Sequence, residues 1–165
     1  MAVQGGYAIN HQKALAGMVV DAQVNNSVSK LNTTDAVVPF GVAVARDGED
    51  GFKLLTNSSV IANVVGVLRR ELNRVTEQGE SYGALPEYDA SVLTVGTIYV
   101  PVIEDVTAGQ PAFVVIGNNT DLPTVGHFSN VAGTGATTAL ALPNAKFISD
   151  AAEGGLAALS IVVGG

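Results

Sequence analysis

Three groups of side chains have the chemical means to catalyse a reaction or hold a metal. The two histidines, His11 and His127, could serve as general bases. A base needs a nucleophile held within hydrogen-bond reach, and no serine sits in a nucleophile elbow or at a helix start. Satisfied or solvent-facing imidazoles are expected at both positions. Asp47, Glu49 and Asp50 share one Gly-flanked loop. A calcium loop needs the D-x-[DN]-x-[DN]-G spacing and a closing Glu, which are missing, so a hydrophilic hairpin tip is expected. Glu104 and Asp105 are neighbours, and on a strand they would point to opposite faces rather than share a site. Gly133-Thr134-Gly135 resembles half of a nucleotide-binding fingerprint but leads into no helix. The sequence therefore assigns no catalytic residue, no cofactor-binding residue and no metal ligand. It predicts a protein that is not an enzyme and uses no cofactor.

Composition points the same way. The 165 residues suffice for one domain with a real core. They are 47% hydrophobic, with five Phe, four Tyr and no Trp, and only 14% are charged. Small branched side chains in such excess suit strands and exclude a disordered chain. So few charges leave uncharged surface that a partner could cover. The net charge of −7 argues against nucleic acid, whose phosphates need clustered Lys and Arg. The one basic knot, Arg69-Arg70 with Arg74, is interleaved with Glu71 and Glu77 and reads as a solvated or intersubunit-paired surface. There is no cysteine, so disulfides and thiolate metal sites are excluded. No apolar run approaches a membrane span, and the N-terminus lacks the pattern of a signal peptide, so no membrane partner is expected. Asn25, Asn32, Asn57 and Asn118 each open an N-x-S/T triplet; without a secretory signal these are expected to be surface turns.

The elements that would position these residues are strands. Residues 92–117 carry the densest β signal. Ile98, Val100 and Val102 share one strand face, Tyr99, Pro101 and Ile103 the other, so both faces are expected to be covered. Gly109 and Pro111 mark a turn, and residues 112–116 form a second apolar run, together predicting a central β-hairpin. Further strands are expected from Gly17 and over 28–31, 37–44, 52–55, 137–142, 144–148 and 156–163, with Pro39 at an edge or bend. Residues 60–75 are ambiguous between helix and strand. Val60, Ile61, Val64, Val65, Leu68, Leu72 and Val75 fit a helical stripe, yet the β-branched density favours strand. Periodicity by itself leans slightly to helix, and the residues alone leave this stretch open. Strands at roughly ten-residue spacing predict an all-β fold, a small β-barrel or β-sandwich. Residues 1–15 are polar and unpatterned and predict an extended N-terminal arm on a single β domain over 16–165.

Several short segments, in order, resemble the structural cement proteins that decorate the capsids of tailed bacteriophages. Gly17-Met18-Val19-Val20-Asp21 resembles the family's opening Gly-x-Val-Ala-Asp, and Pro39-Phe40-Gly41-Val42-Ala43-Val44 its Phe-Gly-x-Ala-Val segment. Asn63-Val64-Val65-Gly66-Val67 is similar to its Gly-Val strand, and this resemblance implies a strand over 64–68, followed by a long loop over 71–86. Residues 96–102 and 106–114 resemble its central hairpin, with Ala112 and Phe113 in place of the usual Val and Tyr. Gly126-His127-Phe128 and Ala145-Lys146-Phe147 are similar to its later Gly-x-Phe and Ala-x-Phe pieces. The resemblance implies a non-catalytic virion protein on the outer surface of the expanded head. Its partners would be the major capsid protein of a tailed phage and further copies of itself, as a homotrimer, with synthesis in the host cytoplasm. Competing expectations are a tail-tube, baseplate or fibre component, or a non-catalytic ligand-binding β module.

Overall fold

Val, Ala and Thr dominate the segments between Gly, Asn and Asp turns, and the chain answers with strands. The computed structural model describes residues 14–21, 24–71, 82–118, 124–133 and 137–162. Among them run eleven strands: β1 (Asn26–Asn32), β2 (Val38–Pro39), β3 (Ala43–Asp47), β4 (Gly51–Leu54), β5 (Val64–Leu68), β6 (Gly83–Ala84), β7 (Asp89–Pro101), β8 (Pro111–Asn118), β9 (Phe128–Ser129), β10 (Thr137–Phe147) and β11 (Leu156–Val162). A 3-10 turn, Ile61–Asn63, precedes β5.

The strands close two rings that share β7. The order β1-β4-β3-β5-β7 returns to its start because β1 also pairs with β7, from Asn26↔Val95 to Leu31↔Asp89. The second half of β7 pairs with β11, and the sheet continues through β10 and β8 to β9. A parallel bridge from Val102 to Phe128 brings β9 back to the end of β7. The expected small barrel is thus present, and β7 is its common wall.

Each ring has its own filling. Val38, Phe40, Val44, Phe52, Leu68 and Val92 pack in and over the first. Ile98, Val100, Phe128, Phe147, Leu159 and Ile161 fill the second. Ala43, Ala45, Val64, Val67 and Leu93, from the first ring's strands, join the second cluster, so the rings are glued by apolar contact as well as by β7. The stripe Ile98, Val100, Val102 is fully buried as its alternation requires, whereas Tyr99, Pro101 and Ile103 are only half-buried.

Several local expectations are corrected. The apolar runs of 92–117 are both strands, but they are not a hairpin: β11 and β10 lie between β7 and β8. The intervening segment ties itself to other strands instead, with Gly109 N donating to Phe147 O at 2.7 Å and Val106 N to Ala151 O at 2.9 Å. The strand over 37–44 breaks at Phe40-Gly41 into β2 and β3, with Pro39 at the bend as expected. The expected first strand contributes one bridge, Val19↔Ile98. Residues 144–148 continue β10 past a register shift between Leu142 and Lys146 rather than forming a separate strand. The strand over 64–68 is confirmed. Of the expected loop over 71–86, residues 72–81 lie outside the described residues, and Gly83–Ala84 is β6.

Gly17 and Gly41 face one another where the segment before β1 crosses the first ring. Both hold left-handed backbones, φ +77 and +85. A Cβ on Gly17 would stand 2.9 Å from Gly41 N, and one on Gly41 2.7 Å from Gly17 N. The close approach lets Gly17 N donate to Tyr99 O at 2.8 Å and Arg70 N to Gly17 O at 2.7 Å.

Candidate functional site

The residues with chemical potential do not converge. His11 lies outside the described residues. His127 is half-buried just before β9, its backbone N–H donating to Thr124 O and its carbonyl accepting from Val115 N. Burial pushes its imidazole below the usual histidine range, so the neutral ring is the folded form at pH 7. The folded ring then binds a proton more weakly than the unfolded chain does. Protonation favours unfolding, and the stability involved is complete above about pH 6.5 and lost as pH falls below it. His127→Gln should therefore flatten the urea midpoint against pH below about 6.5, and an unchanged slope would show that His127 is not its source.

Asp47, Glu49 and Asp50 occupy the β3–β4 hairpin tip, as their spacing predicts. Asp47 receives Lys53 Nζ at 2.7 Å and Thr33 Oγ1 at 2.7 Å. Those two hydrogen bonds, Lys53 first, hold its carboxyl below the usual carboxylate range. Lys53 and Thr33 thus engage Asp47 in tying the tip together. Glu104 and Asp105 lie beyond the end of β7 rather than on a strand, so the expected opposite facing does not apply. Asp105 Oδ1 instead accepts from Glu153 N at 2.8 Å. Among the described residues no cluster of three or more His, Asp or Glu is arranged to hold a metal.

The basic knot and the sequons also resolve. The Arg70 guanidinium sits 5.9 Å from the Phe40 ring centre and 5.3 Å from that of Tyr82, a cation held between two rings. Glu71 accepts from Ser91 N at 3.1 Å and Ser91 Oγ at 2.8 Å. Arg74 and Glu77 lie outside the described residues. Asn25 and Asn57 are exposed, but Asn32 overturns the surface-turn expectation, being 0% exposed. Its Nδ2 donates to Ala36 O at 3.1 Å and Ala84 O at 3.0 Å, and its Oδ1 accepts from Thr34 N at 3.0 Å. Asn32 is a structural knot joining β1 to β6, because a buried amide must satisfy both of its ends.

What remains open for function is surface. Val24, Val60, Ile61, Tyr82 and Tyr88 stand exposed although both cores are filled. Beside β1 lies a recess of about 310 Å³, lined by Asn26, Val28, Lys30, Arg46, Val64 and Thr94 among others. The sequence did not reveal this recess, since its walls come from β1, β3, β5 and β7, whose pairing is not written in any local pattern.

A double-ring β body with filled cores, dispersed titratable groups and exposed apolar side chains is built for contact with other chains. A family model described as "Structural cement protein (E217 gp24/Pam3 gp6)" matches residues 3–162. The chain belongs to this structural cement protein family, and its role is to decorate and stabilise a phage capsid. No curated protein sequence matches it. A chain in the solved structure "The capsid of Myoviridae Phage XM1" is similar in fold, with a TM-score of 0.68 and 20% identity over 98% of this chain and 98% of its own.

Proposed function

We propose that this protein sits on the outer face of the expanded head as a homotrimer and bridges neighbouring major capsid proteins without catalysis. Residues 16–165 act as one β domain and residues 1–15 as an arm that reaches a neighbour. The observation that carries this reading is the exposure of Val24, Val60, Ile61, Tyr82 and Tyr88 on a body whose own cores are already complete. Such side chains gain from burial only against another protein. The outer position is supported by charge: a net −7 is repelled by packaged DNA, so the external surface costs less. Three linked copies would turn weak individual contacts into a durable clamp through effective concentration.

Co-sedimentation with empty expanded heads tests the proposal. The wild-type chain should saturate the heads, and density for it should lie on their exterior. Deletion of residues 1–15 should lower occupancy at least tenfold. Undiminished occupancy would remove the arm from the mechanism, and the absence of wild-type binding would remove the proposal itself.

A further inference from the structure

The recess beside β1 exists because the seam closing the first ring there is short. β1 and β4 share only two register pairs, Leu31↔Gly51 and Asn32↔Phe52, so the first half of β1 is bordered by β7 alone. Val28 and Val64 give the recess an apolar floor, and Lys30 and Arg46 bring two cations to it. No carboxylate lines it. Lys30 Nζ donates to the carbonyl oxygen of Glu49, and neither cation forms an ion pair with a described residue. In a chain with eight Lys and Arg against fifteen Asp and Glu, two cations around an acid-free recess select an acidic guest.

The chain carries such a guest at its other end. Beyond β7, Val106 and Ala151 exchange backbone hydrogen bonds of 2.9 and 3.0 Å, joining two turns. Asp105 Oδ1 accepts from Glu153 N and Asp150 Oδ1 from Ala108 N, both at 2.8 Å. These bonds tie together an end of the molecule that bears Glu104, Asp105, Asp150 and Glu153. It cannot reach the recess of its own molecule. Thr94 lines the recess in mid-β7, and the strand runs on to Pro101 before the acidic end begins, a span of about 23 Å at ~3.3 Å per residue.

We propose that the recess at Lys30 and Arg46 receives the acidic end of a second copy of this chain, in a head-to-tail contact that closes into a ring of copies. This rests on the homotrimer proposed above. A heterologous contact of this kind places different patches against each other and forms a closed ring when its rotation allows. It also lets strongly acidic subunits associate, because each junction pairs a cationic recess with a carboxylate end.

Sedimentation velocity and head binding on the full-length chain test the contact, with circular dichroism melts to confirm folding. Lys30→Glu with Arg46→Glu should weaken self-association at least 30-fold, as should Glu104→Lys with Glu153→Lys. Combining all four substitutions swaps the two charges and should restore the trimer. Should either pair unfold the chain, Lys30→Gln with Arg46→Gln gives a milder loss to be read the same way. Wild-type association should weaken as NaCl rises to 1 M. Trimers that survive both charge-reversed pairs would overturn the contact, as would a four-fold variant that stays dissociated. If the recess variant keeps its trimer but no longer occupies heads, the recess holds the capsid protein instead, and the proposal fails. A wild-type chain that coats heads while monomeric in solution and on the shell would overturn both contact and trimer, yet leave the decorating role in place.

Discussion

Gly66→Ala is expected to cost about 3 kcal/mol, the upper end for forcing one carbon into a packed site, and to lower the melting temperature by roughly 10 °C. Gly66 lies in β5 opposite Val44, on the wall where the first ring meets β7. A Cβ there would stand 2.1 Å from the Leu93 carbonyl oxygen and 2.9 Å from its carbon. Backbone cannot swing aside as a side chain can, so β5 and β7 must part. The register pairs Val67↔Leu93 and Leu68↔Val92 would go with them. The cost comes from the first added carbon, so Gly66→Val should be scarcely worse than Gly66→Ala. Gly48→Ala is the control: it is left-handed at φ +69 but has nothing within 4 Å, and should cost about 1 kcal/mol. Urea midpoints of the three variants check this, and equal losses at Gly66 and Gly48 would refute the close-approach argument.

Phe128→Ala is expected to cost about 3–5 kcal/mol, the range for emptying a buried aromatic site. At two to four degrees per kcal/mol, that lowers the melting temperature by roughly 10 °C. Phe128 is fully buried, pairs with Val114 in β8, bridges to Val102 and accepts from Ile103 N at 3.0 Å. It is the latch of the second ring. Calorimetry should show one transition moving as a whole, because the first ring loses its wall when the second opens. Two separated transitions would show that the rings melt independently.

Much of this was legible because burial and alternation are local. Ile98, Val100 and Val102 advertise a buried face, whereas around Val64, Val65 and Val67 a helical stripe competes with the β-branched density, and only the family resemblance points to the strand. That stripe has a physical origin: a 3-10 turn at Ile61–Asn63 feeds directly into β5, mimicking helical spacing over one turn. The hairpin was misread because Gly109 and Pro111 signal a turn but not its destination. Strand partners are chosen by long-range packing, and β8 finds β10 rather than β7. Asn32 looked like a surface turn because its neighbours are polar; only the arrival of Ala84, from a distant strand, buries it. The recess at Lys30 and Arg46 was hidden for the same reason.

The shared thirteen-residue strand β7 also governs how the molecule carries load. A decorating protein gripped at opposite ends is pulled along its length whenever a pressurised shell swells. Under the head-to-tail contact proposed above, that pull would travel through one unbroken strand belonging to both rings, flanked on each side by neighbours that must slide rather than peel. Stretching should therefore meet a stiff, all-or-none response, and the weak links of the clasp should lie at its junctions with other chains instead of within it.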